Sequence, residues 1–137
     1  MNFITPEDLS VTIRDRKLQM ILDQDNSILD DAEKLAIATV QSSLAPKYDL
    51  DIIFNTTGDD RSLVLVRYII NLMTYYIYER IPDKLVPERV IKNYNDTTKS
   101  LLAIEDGKKN MILPHKTKTD GSLQTKFRWG SEKPRGF

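Results

Sequence analysis

Asp23, Asp25, Ser27, Asp30 and Asp31 have the residue types and the spacing from which a calcium loop is made. Such a loop needs glycine at its sixth position and glutamate at its twelfth. Counted from Asp23, those positions hold Ile28 and Lys34, so helix capping accounts for the cluster better. Nucleophilic and thiolate chemistry has little to work with. The chain has no Cys and a single His, His115, set in Pro-His-Lys-Thr with no ligand types beside it. Neither a zinc site nor a Ser-His-Asp set is expected from that inventory. Gly58 lacks the second glycine and the Lys-Ser/Thr pair that a phosphate loop uses, and Asp59-Asp60 reads as a cap. Every acidic pair has a capping explanation, so the sequence predicts no enzyme, no metal and no cofactor.

Two other constellations suit binding. Arg67, Asn71, Thr74 and Tyr78 recur at intervals of four, three and four on an otherwise apolar segment, which makes them one narrow polar stripe of a helix. That stripe predicts either a subunit contact or polar partners inside the protomer. Tyr68, Tyr75, Tyr76, Tyr78 and Tyr94 lie on helical spacing and read as core or interface before they read as a base-stacking platform. Near the C-terminus Lys126, Phe127, Arg128, Trp129 and Lys133 interleave cations with aromatic rings, a pattern suited to phosphate or to a protein groove.

These groups must be positioned by elements that 137 residues can supply, which means one domain. Hydrophobic residues make up 40% and charged residues 29%, enough apolar material for one core and too much for global disorder. Twenty basic residues balance twenty acidic ones, but unevenly. From Lys108 onward eight cations face two acids, while the first 107 residues carry twelve cations against eighteen acids. The expectation is an acidic helical core over 1–107 and a basic arm over 108–137 that meets something acidic. No basic start or apolar run marks a signal peptide, and the protein is expected to be made in the cytoplasm. The apolar stretch from Ser62 to Tyr78 is long enough to span a bilayer, yet Arg67 and Asn71 near its centre argue for a buried helix and no membrane partner.

Thr5-Pro6-Glu7-Asp8 predicts a helix start, followed by a short apolar pattern through Ile13, Leu18 and Leu22. The next helix is predicted over 27–44, with Ile28, Ala32, Leu35, Ala36 and Val40 inward and Asp30, Asp31, Glu33 and Lys34 mostly on the other side. Pro46 stops it, and 47–54 reads as extended or irregular. A long apolar helix over 59–80 follows, hydrophobic around most of its circumference and therefore in need of cover from other helices or a second subunit. The last helix begins at Pro87 and ends at Gly107, a left-handed terminator. Beyond it Met111-Ile112-Leu113 and 123–129 suit a hairpin, or an arm ordered on a partner. The fold class expected is mainly α, a small four- to five-helix bundle with an extended basic C-terminal arm.

The order of these features is itself a pattern. Ile4-Thr5-Pro6-Glu7-Asp8-Leu9 opens it, then come Ser43-Leu44, Lys47-Tyr48, the long apolar helix, Tyr94, Leu101-Leu102, Asp106-Gly107 and Leu113-Pro114. Over residues 3–114 this resembles the head–tail connector, or adaptor, proteins of tailed bacteriophages in the Mu-like group. Lys47-Tyr48 departs from that pattern in lacking a Leu-Pro pair soon after it. The resemblance implies a virion protein at the portal vertex or neck, a homo-oligomeric ring (a dodecamer) that extends the DNA channel and touches packaged DNA transiently and non-specifically. Portal protein and tail or neck proteins would be its partners. On this reading Lys108, Lys109, Lys116, Lys118, Lys126, Phe127, Arg128 and Trp129 bind the portal or a neighbouring ring, and Arg67, Asn71, Thr74 and Tyr78 form the subunit contact. The alternatives are a small nucleic-acid-binding protein that uses the basic tail, and an accessory subunit of an enzyme. Against the first, a recognition helix should be basic, and the second and third helices are acidic or apolar.

Overall fold

The computed structural model describes residues 3–10, 13, 16–81 and 85–116. Among the described residues six α-helices follow one another: α1 (Pro6–Ser10), α2 (Arg16–Gln24), α3 (Asn26–Leu44), α4 (Leu50–Asn55), α5 (Leu63–Arg80) and α6 (Glu88–Glu105). A 3-10 turn, Gly58–Asp60, precedes α5. The protein is mainly helical, as its periodicity predicts.

Local chemistry explains most of the boundaries. Thr5 and Asp8 cap α1 reciprocally, each side chain accepting the other's backbone N–H. The Asp25 carboxylate accepts the N–H of Ser27 at the start of α3, a capping role for one of the five calcium-loop residues. At the end of α6 the N–H of Lys108 donates to the Ala103 carbonyl at 2.8 Å and that of Gly107 to Ile104 at 3.1 Å. Gly107 adopts φ 78°, the left-handed state this double closure demands. Two expectations are corrected. Residues 47–54 are not extended throughout: Asp49 accepts the Ile52 N–H and nucleates α4, which turns Ile53 into the core. The cap of α5 is Ser62, not Asp59-Asp60, which stay exposed in the 3-10 turn.

The three long helices form the body. Thr39 meets Tyr76 and Asp31 meets Arg80, so α3 and α5 run antiparallel. Asn71 meets Thr97 and Tyr75 stacks on Tyr94, so α6 returns antiparallel to α5 and parallel to α3. Ten of the eighteen residues of α5 are buried, and the helix is covered largely within its own chain. Among the described residues, no helix is long and apolar enough to cross a membrane.

The N-terminal segment is tied to this body by two charged residues. Glu33 lies buried on α3, and its carboxylate accepts the N–H groups of Ile4 at 2.8 Å and Phe3 at 3.1 Å. Its helical phase had placed it on the outer face. The reason for the difference is tertiary: two backbone donors of a distant segment need an acceptor there. Arg61 donates to the Phe3 carbonyl, to Asp8 and to the Gly58 carbonyl, holding three segments together at once.

Candidate interaction surface

The segment after α6 does not leave the body at Gly107. Residues 108–116 form a strap, of which 110–116 cross the corner between α3 and α4 and are fastened there. The Met111 N–H donates to the hydroxyl of Tyr48, a wholly buried side chain, at 2.9 Å. Asp49 donates its N–H to the Pro114 carbonyl and Lys116 donates to the Lys47 carbonyl, which frames an antiparallel bridge between Tyr48 and His115. The His115 ring lies 5.0 Å from that of Tyr48, and Lys47 bonds the Asn110 side chain. The first residues of the expected 108–137 arm are therefore packed on the helical body. Among the described residues, Met111-Ile112-Leu113 is bent and forms no strand. The other half of the expected hairpin, 123–129, lies outside the described residues.

The predicted partner-binding residues divide accordingly. Lys108, Lys109 and Lys116 belong to the strap. Lys109 Nζ donates to the Tyr68 hydroxyl at 2.9 Å, lies over the Tyr68 ring at 5.6 Å and reaches Ser100 Oγ at 3.4 Å. Lys108 is exposed and Lys116 half-buried. Lys118, Lys126, Phe127, Arg128 and Trp129 lie outside the described residues.

The polar stripe of α5 turns mostly inward. Thr74 is 1% exposed and gives its hydroxyl proton to the Ile70 carbonyl. Tyr78 is buried, and Asn71 donates from Nδ2 to Thr97 Oγ1 at 3.0 Å. The buried Oδ1 of Asn71 has no hydrogen-bond partner among the described residues. Arg67 alone of the four is exposed. Thr74 and Tyr78 thus take the second of the two placements the stripe allows, inside their own protomer.

What the surface offers instead are exposed apolar side chains. Ile112 is fully exposed between two anchored neighbours, the buried Met111 and the half-buried Leu113. Leu63 and Val64 stand out from the first turn of α5, and Leu102 from the last turn of α6. Along the first half of α3, Leu35 is half exposed at the rim of a groove of about 240 Å³, lined also by Ile28, Ala32, Tyr76, Glu79 and Arg80. Glu79 next to Tyr75 raises the phenol's pKa, as expected for a negative charge facing a group that must itself become negative. A larger cavity of about 410 Å³ lies between α3 and the Phe3–Phe54 ring pair. The short apolar run Met111-Ile112-Leu113, bounded by Gly107 and Pro114, was the sequence signal nearest to the strap. The cross-chain partner, Tyr48, could not be read from it.

Among the described residues, no group of three or more His, Cys, Asp or Glu is placed to hold a metal ion. What the geometry provides is shape, apolar knobs and grooves, and lysines grouped on one strap. No match to the chain was found among curated proteins or among solved structures. The family model described as Bacteriophage Mu, Gp36 matches residues 3–128, which takes in every helix, the strap and part of the basic segment beyond. The chain belongs to the bacteriophage Mu Gp36 family, and with it to the structural or morphogenesis proteins of Mu-like phages.

Proposed function

We propose that the protein is a head–tail connector, an adaptor that assembles as a ring below the portal, extends the DNA channel and links the capsid vertex to the tail. The observation that carries this reading is the family match across the whole helical body. The surface agrees with it: the described residues offer apolar knobs and grooves for protein neighbours and a strap with three lysines and no acid. In this reading the basic segment from Lys116 onward is the docking arm, with Lys118, Lys126, Phe127, Arg128 and Trp129 engaging the portal or an adjacent ring protein. Aromatic anchors flanked by cations suit a buried contact with an acidic rim. A channel wall must let DNA slide, so DNA affinity should be weak and fall steeply with salt.

The test is a map of the virion. Several copies of this chain arranged in a ring at the portal vertex are expected. A single copy, or none at that vertex, rejects the connector reading. A chain ending after Lys116 should keep its fold and lose portal attachment; normal attachment would assign the interface to the helical body instead of the arm.

A further inference from the structure

We propose that Ile112 of one copy seats in the groove between α3 and α5 of the next copy, so that the strap is the knob and the Leu35–Tyr76 groove is the hole of the ring contact. The inference rests on the ring reading above and names the surfaces that would make it.

Four observations meet here. Ile112 is 101% exposed, yet the backbone on either side of it is fixed, by the Met111–Tyr48 hydrogen bond and by the Pro114–Asp49 hydrogen bond. A bare aliphatic side chain on a rigid support is preorganised for a partner, since little ordering entropy remains to be lost on docking. The groove has an apolar wall of Ile28, Ala32 and Leu35, half-exposed Tyr76 across from it, and room for a branched side chain in its 240 Å³. The charges match: residues 108–116 hold three lysines and no acid, whereas the groove end holds Asp31 and Glu79 with Asp25 close to Arg80, the one cation of the lining. Arg80 is already paired with Asp31 at 2.7 Å. Apolar contact in the centre with complementary charge around it is the arrangement of a specific interface.

Position decides the occupant. The strap sits beyond the C-terminal end of α3, at Tyr48, and the groove flanks the first half of α3. Leu35 and Leu44 are nine residues apart on one helix, about 14 Å along its axis. A knob fastened at Tyr48 therefore does not fold into its own groove. Each copy presents one knob and one hole on different patches, so the contact is heterologous and repeats from copy to copy.

The absence of cysteine allows a clean test. Particles assembled with a chain carrying both Ile112→Cys and Leu35→Cys are treated with a short bis-maleimide and run on a denaturing gel. A ladder of cross-linked multimers is expected, falling to background in particles that carry either substitution alone. In parallel, Ile112→Asp should leave the melting temperature unchanged, because the side chain touches only solvent in the protomer, and should abolish ring incorporation. A map with several copies at the vertex but no ladder overturns the knob-and-hole assignment and leaves the ring standing. A map with one copy or none removes both. Normal ring incorporation of Ile112→Asp also overturns the assignment.

Discussion

Arg61 ties together three separate segments of the fold. Its Nη1 lies 2.8 Å from the Phe3 carbonyl and 2.7 Å from Asp8, while Nε donates to Gly58. Arg61→Ala should cost about 1.5–3 kcal/mol, the range for hydrogen bonds to charged groups, and should free the N-terminal segment. Thermal denaturation and proteolysis near residue 5 would register it. The Arg61 hydrogen bond, with help from Thr5, holds the Asp8 carboxyl below its ordinary value of 3.8. A carboxyl lowered on folding contributes stability that is complete above its unfolded pKa and is lost as pH falls through the folded one. Melting temperature should therefore be insensitive to this group from neutrality to the mid-acid range, then fall below about pH 4. Asp8→Asn should flatten that acid limb, and an unchanged limb would mean that other carboxylates dominate it.

At the scale of elements, α5 and the strap carry the argument. Met73 is wholly buried at the centre of α5, so Met73→Ala should cost about 2–5 kcal/mol through lost burial and a cavity. Gly107 has no atom within 4 Å of where a Cβ would stand, so its role is purely conformational. Gly107→Ala should lose about 1–2 kcal/mol, the cost of a left-handed backbone for an L-residue. Tyr48→Phe removes the acceptor of the buried Met111 N–H and should cost about 1–3 kcal/mol. Hydrogen exchange should localise that loss to 111–116 and spare α5. Exchange rising across the whole body instead would show that the strap and the bundle unfold as one unit.

For the molecule as a whole, the fastened strap moves the point at which the chain can be cut. Truncation after Gly107 removes Met111 from the core and leaves the Tyr48 hydroxyl, the Asp49 N–H and the Lys47 carbonyl without their partners. That variant should melt several degrees lower. Truncation after Lys116 keeps all of these contacts, and its melting should stay close to that of the full chain. Two equal melting temperatures would show that the strap adds nothing to stability. On the connector reading, any binding of the full chain to random-sequence DNA should weaken steeply between low and physiological salt, as phosphate contacts do.

The helices were legible in the residues because their signals are local. Thr5, Asp25 and Gly107 each act on backbone groups within a few positions, and Pro87 opens the last helix in the same way. The period of α3, α5 and α6 reports which face is apolar, and so the mainly helical class followed from spacing alone. The order of those elements was also enough to suggest a Mu-like phage family. What spacing does not contain is the identity of a distant partner. Glu33 reads as a surface residue until Phe3 and Ile4 present it with two N–H groups. Residues 108–116 read as the start of an arm because nothing nearby in sequence names Tyr48, 63 residues away from Met111, as their anchor. The polar stripe of α5 was seen correctly as a stripe, but only the packing of α6 and α3 decided that most of it faces inward. Periodicity fixes the phase of a helix; which neighbour occupies that side is set by contacts between segments far apart in the chain, and those exist only once it has folded.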